Sequence, residues 1–540
     1  MPWRSDRSNR QLHATFHAHS VITTIVTVCL IGAEGVSAAT AVADKANQAL
    51  MECAQLEQED FTRVADAPAT VLSAEVVPAE SDRSEYCSVK GYIQPQIQFE
   101  IRLPTKAWNG RYFQTGCGGF CGVVNISACD DALARGFVVA ANNMGHVSSI
   151  QDGLWGSDPK LRYDFGPRST HVMAVLAKAI IERFYGESTA YSYFRGCSTG
   201  GREGLLAALH WPEDFHGVIA GDPAFPARQG GIINNWFAHS LHTDDGKLVF
   251  SDEKLAVLNS TVLEKCDAID DLKDGIIDDP RNCNFDATSM ACPRGKESAN
   301  CLTAQQVDAA QRLYDGPRHS RTKQRLFPGY VAYGSEKFWN AAGNANYANQ
   351  FLRFLAFAET PPLSYRYSDF NFDSDIVELE EYAAIYDPVA PYTDPDTSKF
   401  HKAGGKLIVY HGWADPSVPP TTTLDFYAEV AQRSGGIEKV QKWYRVFMVP
   451  GMGHCRGGGV PDTFDMLSAI VAWTEKELAP DRIVATQFDG DKVIRTRPLY
   501  PYPTVARYSG SGDVNDAANW KPVSPTTKRD DDIKWMWDPD

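Results

Sequence analysis

Positive charge is scarce in this sequence. Lysine and arginine number 52 against 68 aspartates and glutamates, for a formal net charge of −16 over 540 residues. Nucleic acids and anionic membrane surfaces are normally bound by basic faces, so this balance argues against either as a partner. Long apolar runs are also missing: past the N-terminal segment no stretch is long enough to cross a bilayer. No internal repeat marks a solenoid or a propeller. The chain is longer than one hydrophobic core normally grows, so it holds a large domain with an insertion or two domains.

The exception to the scarcity of apolar runs is VITTIVTVCLIGAEGV, which follows Arg4, Arg7 and Arg10 and is broken by Glu34. Val36-Ser37-Ala38 then supplies the small residues of a cleavage site, so residues 1–38 read as a secretory signal peptide. The alternative is an uncleaved anchor, for which the run is short and has no strong stop-transfer flank. Cys29 lacks a convincing lipobox. Export to the periplasm or the medium favours disulfides among the remaining eleven cysteines: Cys53, Cys87, Cys117, Cys121, Cys129, Cys197, Cys266, Cys283, Cys292, Cys301 and Cys455. That number is odd, so at least one thiol is unpaired or pairs between chains.

Between about 95 and 225, strand-like runs alternate with helical ones. IQPQIQFEIRLP, GRYFQTG and GFVVAANN read as strands, STHVMAVLAKAIIERFYG as a helix stopped at Gly186, and GVIAGDPA as a buried strand. This order implies an α/β fold with a parallel sheet. The rhythm is lost from about 226 to 400 and returns at KLIVYHGWADP and WYRVFMVPGMGHC. The expected organisation is therefore a core in two parts, 39–225 and 403–540, with an inserted domain at 226–402. The tail from about 505 is polar and is expected to pack loosely.

Gly196-Cys197-Ser198-Thr199-Gly200 fits the G-x-S-x-G nucleophile pattern and lies between a strand and a helix, where a sharp turn would expose the Ser198 hydroxyl. Thr199 would then offer a backbone N–H to an oxyanion hole. A serine esterase of this kind needs an acid and then a histidine further along the chain. Asp415 stands directly after KLIVY, and His454 stands in a glycine-rich turn after YRVFMV. Both follow strand ends and so share one sheet edge with Ser198. Asp222 is the rival acid, with capping of the turn before Pro223 as its other reading; His146 and His411 read as structural. TGCGGFCG, which contains Cys117 and Gly118, fits the loop carrying a second oxyanion donor, or a plain flexible turn.

Cys197 precedes the nucleophile and Cys455 follows the histidine. If Ser198 and His454 meet, their neighbours lie within reach of a disulfide, which needs Cα atoms roughly 4.4–6.8 Å apart. Such a bond would fix the two loops and remove a competing thiol.

CDAIDDLKDGIIDDPRNC, residues 266–283, is rich in the oxygen ligands that hard cations require. It departs from the EF-hand pattern at Leu272 and has Arg281 where the final glutamate belongs. Asp270 and Asp274 could still give side-chain oxygens, Leu272 and Ile276 carbonyls, and Asp267 a further carboxylate. Cys266 and Cys283 could close the loop. The other reading is an exposed acidic turn.

In GCSTGGREGL, HGWADPSVPP, GMGHCRGG, CDAIDDLKDGIIDD and WNGRYFQTG, the chain resembles the tannase and feruloyl esterase family of α/β-hydrolases. The resemblance runs from about residue 50 to 515. It implies Ser198 as nucleophile, His454 as base, Asp415 as the acid orienting it, and an inserted lid. It also implies a structural calcium ion held by Asp267, Asp270, Asp274 and the carbonyls of Leu272 and Ile276. The bridges it implies are Cys197–Cys455, Cys266–Cys283, Cys292–Cys301 and Cys53–Cys87. Many relatives close the C-terminal tail with a disulfide, whereas RPLYPYP and ANWKP contain no cysteine. The expected reaction is hydrolysis of feruloyl or galloyl esters, with terephthalate half-esters as the alternative. A serine peptidase and a non-catalytic binding module on the same fold are the more distant readings.

Overall fold

Gly217–Gly221 (β7) and Lys406–Gly412 (β8) are buried at every position. Such runs are stable only as strands covered on both faces, the signature of a parallel sheet. In the computed structural model, which describes residues 48–80, 83–224, 229–327, 331–343, 345–379 and 395–525, they pair with each other, Gly217 opposite Lys406. The signal peptide expected at 1–38, with Cys29, lies outside the described residues.

The sheet has nine strands in the order β1-β2-β3-β5-β4-β6-β7-β8-β9. Ala69–Val77 (β1), Tyr86–Ile93 (β2) and Ile97–Pro104 (β3) form an antiparallel meander that joins Val138–Asn142 (β5) through β3. From there Arg111–Thr115 (β4), Tyr191–Cys197 (β6), β7, β8 and Tyr444–Val449 (β9) run parallel. The longer helices are Ser169–Tyr185 (α1), Thr199–His210 (α2), Asn234–Leu241 (α3), Asp252–Cys266 (α4), Ala304–Asp315 (α5), Ala345–Phe354 (α6), Pro420–Arg433 (α7) and Met466–Lys476 (α8). A mostly parallel sheet with flanking helices and a turn from β6 into α2 is the α/β-hydrolase arrangement.

The chain between β7 and β8 leaves the sheet and returns to it. Within that segment α3 to α6 and their loops bury an apolar cluster distinct from those against the sheet, with Phe237, Leu258, Leu313, Trp339 and Leu352 inside it. Phe120 and Trp155 from the core loops belong to the same cluster. The Phe120 ring stacks on Tyr347 of α6 at a centroid distance of 4.2 Å, so the insertion rests directly on the loop after β4. Among the described residues no helix is long and apolar enough to cross a membrane.

The tail departs from expectation. Val505–Tyr508 (β12) pairs antiparallel with Trp520–Val523 (β13), beside the hairpin of Ile483–Asp489 (β10) and Lys492–Leu499 (β11). Trp520 is buried beneath the Arg497 guanidinium, 4.3 Å from its ring centroid, and Arg507 pairs with Asp278 of the acidic loop. Cation–π and charge pairing hold this segment without a disulfide.

Candidate active site

Ser198 sits between β6 and α2 with φ 62° and ψ −121°. A left-handed conformation at a non-glycine residue is strained and persists only where the surroundings impose it. Here they do. The Ser198 N–H donates to the Gly221 carbonyl at 2.9 Å, and its own carbonyl accepts from Ala224 at 3.1 Å. A Cβ added at Gly196 would lie 2.4 Å from the Gly200 backbone, so only glycine lets the chain reverse this tightly.

Asp415 and His454 meet. The carboxylate is fully buried; its Oδ1 accepts the N–H groups of Ser417 and Val418 at 2.8 and 3.0 Å, and its Oδ2 lies 2.6 Å from His454 Nδ1. Burial alone would raise the Asp415 carboxyl, but the charges of His454 and His411 hold it below its usual range. Burial likewise disfavours a charged His454, yet the Asp415 carboxylate outweighs it and raises that imidazole to about 9. The His454 side chain is 29% exposed, so solvent screens part of that attraction. Among the described residues the Ser198 hydroxyl makes no hydrogen bond to His454; such contacts often tighten only once substrate is bound.

A disulfide ties these loops together. Cys197 and Cys455 are bonded with Cα atoms 6.0 Å apart, across a sequence separation of 258. The other bridges are Cys53–Cys87, Cys117–Cys121, Cys266–Cys283 and Cys292–Cys301. Among the described residues Cys129 is the one free thiol; it is buried, which pushes its pKa up and leaves it unreactive.

Asp222 lies beneath this arrangement rather than on His454. Its Oδ1 accepts from Gly412 N–H at 2.9 Å and its Oδ2 from Cys455 N–H at 3.0 Å, so it holds the turn that carries the histidine. Burial first, and the negative Asp415 nearby, raise its carboxyl to about 6. His411 bridges the two acids, its Nε2 3.4 Å from each. That Nε2 also lies 2.8 Å from the Val418 carbonyl, which can only accept, so the nitrogen carries a proton. His146 is remote from these contacts, stacked on Trp155 with its Nε2 2.7 Å from the Phe120 carbonyl.

The Thr199 hydroxyl donates to the Gly119 carbonyl at 2.7 Å, which joins the start of α2 to the loop after β4. Within that loop Cys117 directs its N–H to Glu203 at 3.0 Å, an engagement the sequence did not reveal. The Gly118 N–H has no hydrogen-bond partner among the described residues, and the space beyond its Cα is open.

The acidic loop closes as a tight turn. Asp267 accepts the N–H groups of Asp274, Gly275 and Ile276, while Leu272 N–H donates to Asp270. Arg497 of β11 reaches Asp274 at 3.2 Å and Asp278 at 3.1 Å, with Asp270 at 3.7 Å. Burial, then the charge of Asp278, raises Asp270 to about 6; burial also raises Asp274. Asp267, Asp270, Asp274 and Asp278 face three guanidinium groups, Arg495, Arg497 and Arg507, and an acidic excess made of oxygen donors suits a hard cation. Among the described residues the side-chain donors within 4.8 Å of one another lie elsewhere: Cys117–Cys121–Glu203, Cys197–Asp222–Cys455 and Asp222–His411–Asp415. The first two contain disulfide sulfurs, which are not thiolate ligands.

The family described as tannase and feruloyl esterase matches residues 81–523. An uncharacterised esterase of Xanthomonas campestris pv. campestris is 32% identical over 86% of this chain and 89% of its own. The mono(2-hydroxyethyl) terephthalate hydrolase of Piscinibacter sakaiensis is 32% identical over 85% of this chain and 87% of its own. The crystal structure of feruloyl esterase B from Aspergillus oryzae superimposes with a TM-score of 0.77 at 25% identity, covering 87% of this chain and all of that one.

Proposed function

The chain belongs to the tannase and feruloyl esterase family and is a carboxylic ester hydrolase, and from that premise we propose that it cleaves esters of aromatic acids at Ser198. The observation that carries the assignment is the 2.6 Å contact between Asp415 and His454, on a loop disulfide-bonded to the nucleophile turn. His454 takes the Ser198 proton as the oxygen attacks the ester carbonyl. The tetrahedral oxyanion forms beside the N–H groups of Thr199 and Gly118, His454 protonates the departing alcohol, and an acyl-enzyme remains. Water attacks that ester, gives a proton to His454 and releases the acid as the Ser198 hydroxyl is restored. Asp415 keeps the imidazole in the required tautomer and stabilises its charged form.

Feruloyl and galloyl esters are the proposed substrates, with terephthalate half-esters the second reading because of the Piscinibacter relative. Support for a flat aromatic acyl group comes from the insertion's aromatic residues and from the contact of Tyr347 with Phe120. We place the lid at residues 226–402 and the two parts of the core at 39–225 and 403–540. The five disulfides among the described residues fit an exported protein, secreted or periplasmic after cleavage near Ala38. Calcium is the proposed ligand of the acidic loop, held by Asp267, Asp270, Asp274 and the carbonyls of Leu272 and Ile276. Bound there, it would offset the repulsion among these carboxylates and stiffen the lid without touching the ester.

Rates on methyl ferulate, methyl gallate and mono(2-hydroxyethyl) terephthalate, with methyl acetate as the aliphatic control, test the reading. At least one aromatic ester should exceed methyl acetate by more than ~10-fold in kcat/KM, the scale of pocket discrimination; a flat panel contradicts it. A chelator should lower the thermal midpoint and added calcium restore it; an unmoved midpoint removes the ion from the account.

A further inference from the structure

Glu203 lies one turn into α2 and is 1% exposed. A buried carboxyl is costly unless its oxygens are engaged, and both of these are. Oε1 accepts the Cys117 N–H at 3.0 Å and Oε2 the Thr170 hydroxyl at 2.9 Å. The three residues come from different places: Cys117 from the loop after β4, Thr170 from the start of α1, and Glu203 from the helix that begins beside Ser198. Backbone packing at the same spot is equally close. A Cβ at Gly116 would fall 2.6 Å from the Gly200 Cα, and one at Gly200 would fall 3.0 Å from the Cys117 carbonyl oxygen. Thr199 holds the far end of the loop through Gly119, and the Cys117–Cys121 disulfide closes it. Gly118 is the exposed residue between these anchors.

We propose that Glu203 is a positioning residue of the reaction, fixing the Cys117 amide so that the neighbouring Gly118 N–H stands where the oxyanion forms. This rests on the reading of Ser198 as nucleophile. Glu203 touches neither substrate nor nucleophile; it acts through Cys117. Burial pushes its carboxyl up to about 7, opposed by the Cys117 N–H, Arg202 and Thr170. The titration does not alter the role. A protonated Glu203 can donate from Oε2 to the Thr170 hydroxyl and still accept the Cys117 N–H at Oε1. Geometry rather than charge is what the residue contributes, and a glutamine can reproduce it.

The test compares a ligand that needs the oxyanion site with one that does not. Phenylboronic acid adds to the Ser198 oxygen to give a tetrahedral boronate, the hydroxyl proton passing to His454, and so mimics the transition state; ferulate binds as product. In Glu203→Ala, phenylboronic acid affinity and kcat should fall ~10–100-fold, somewhat less than the loss of a whole oxyanion donor, while the KM and the ferulate Kd stay within about threefold. Glu203→Gln should recover most of that loss. Undiminished boronate affinity and kcat in Glu203→Ala overturn the proposal alone, as does a Glu203→Gln variant as impaired as Glu203→Ala. If the alanine variant does not fold, Thr170→Val frees one carboxylate oxygen and should lower boronate affinity several-fold, and no change there overturns the proposal. Absence of a Ser198 adduct in the wild-type protein contradicts the nucleophile assignment itself, and the proposal falls with it.

Discussion

Replacing both Cys197 and Cys455 by serine separates what the disulfide does for stability from what it does for catalysis. The bond closes a loop with a sequence separation of 258. Loop-closure entropy grows with the logarithm of length, so such a bridge contributes up to about 5 kcal/mol by restricting the unfolded chain. The Cys266–Cys283 and Cys292–Cys301 bridges lie inside this loop, but they shorten it by only 17 and 9 residues, which hardly changes a logarithm. For comparison, removing Cys292–Cys301 alone should cost about 2.5 kcal/mol. The catalytic effect is separable because two contacts remain when the bridge is gone: Cys455 N–H still reaches Asp222, and His454 still reaches Asp415. The histidine turn should loosen without detaching. A displacement near 1 Å costs about 10²-fold in rate, so kcat should fall ~10–100-fold with KM little changed. Denaturant unfolding followed by tryptophan fluorescence, with kcat on a p-nitrophenyl ester, measures both. A Cys197→Ser/Cys455→Ser protein no less stable than Cys292→Ser/Cys301→Ser refutes the loop argument. An unchanged kcat refutes the idea that the bridge positions the base.

As the proposed base, His454 must be neutral to accept a proton, and Asp415 raises its pKa towards 9; kcat/KM should therefore climb with pH through a midpoint above that of free imidazole, near 6.5. Asp415→Asn removes the charge, which should lower that midpoint and cut kcat by up to ~10⁴-fold; a midpoint unmoved by the substitution contradicts the electrostatic account. Asp222→Asn keeps the side chain's size but leaves one of the Gly412 and Cys455 N–H groups facing an amide NH2. It should cost about 1–3 kcal/mol in denaturant unfolding and lower kcat about 10-fold, and wild-type values for both would contradict its role in holding the histidine turn.

Legibility in the sequence follows the range of the forces involved. GVIAG and the LIVY of KLIVYHG are apolar on both faces, so their burial in a parallel sheet could be read from the residues alone. The turn at Ser198 was legible because its glycines answer a local steric demand. The order of the tail is not legible locally because Val505–Tyr508 and Trp520–Val523 are short and mixed in polarity; what holds them are Asp278, more than two hundred residues earlier, and Arg497 over Trp520. Glu203 stands in the same stretch as Ser198, yet its partner Cys117 is 86 positions away, and nothing local marks the contact. Arg497 gives no sign of meeting the acidic loop, for the same reason. The odd cysteine is explained by placement: Cys117 and Cys121 share one tight turn, which leaves Cys129 buried in the apolar cluster beside β5.

The central claim is that a covalent acyl-serine forms at Ser198. Mass spectrometry of the protein quenched during turnover of a slow aromatic ester, followed by peptide mapping, tests it directly. The account predicts one acyl group per chain, on the peptide containing Ser198, and none on a folded Ser198→Ala protein with its turnover abolished. An acyl group on another residue, or full turnover by Ser198→Ala, would contradict it.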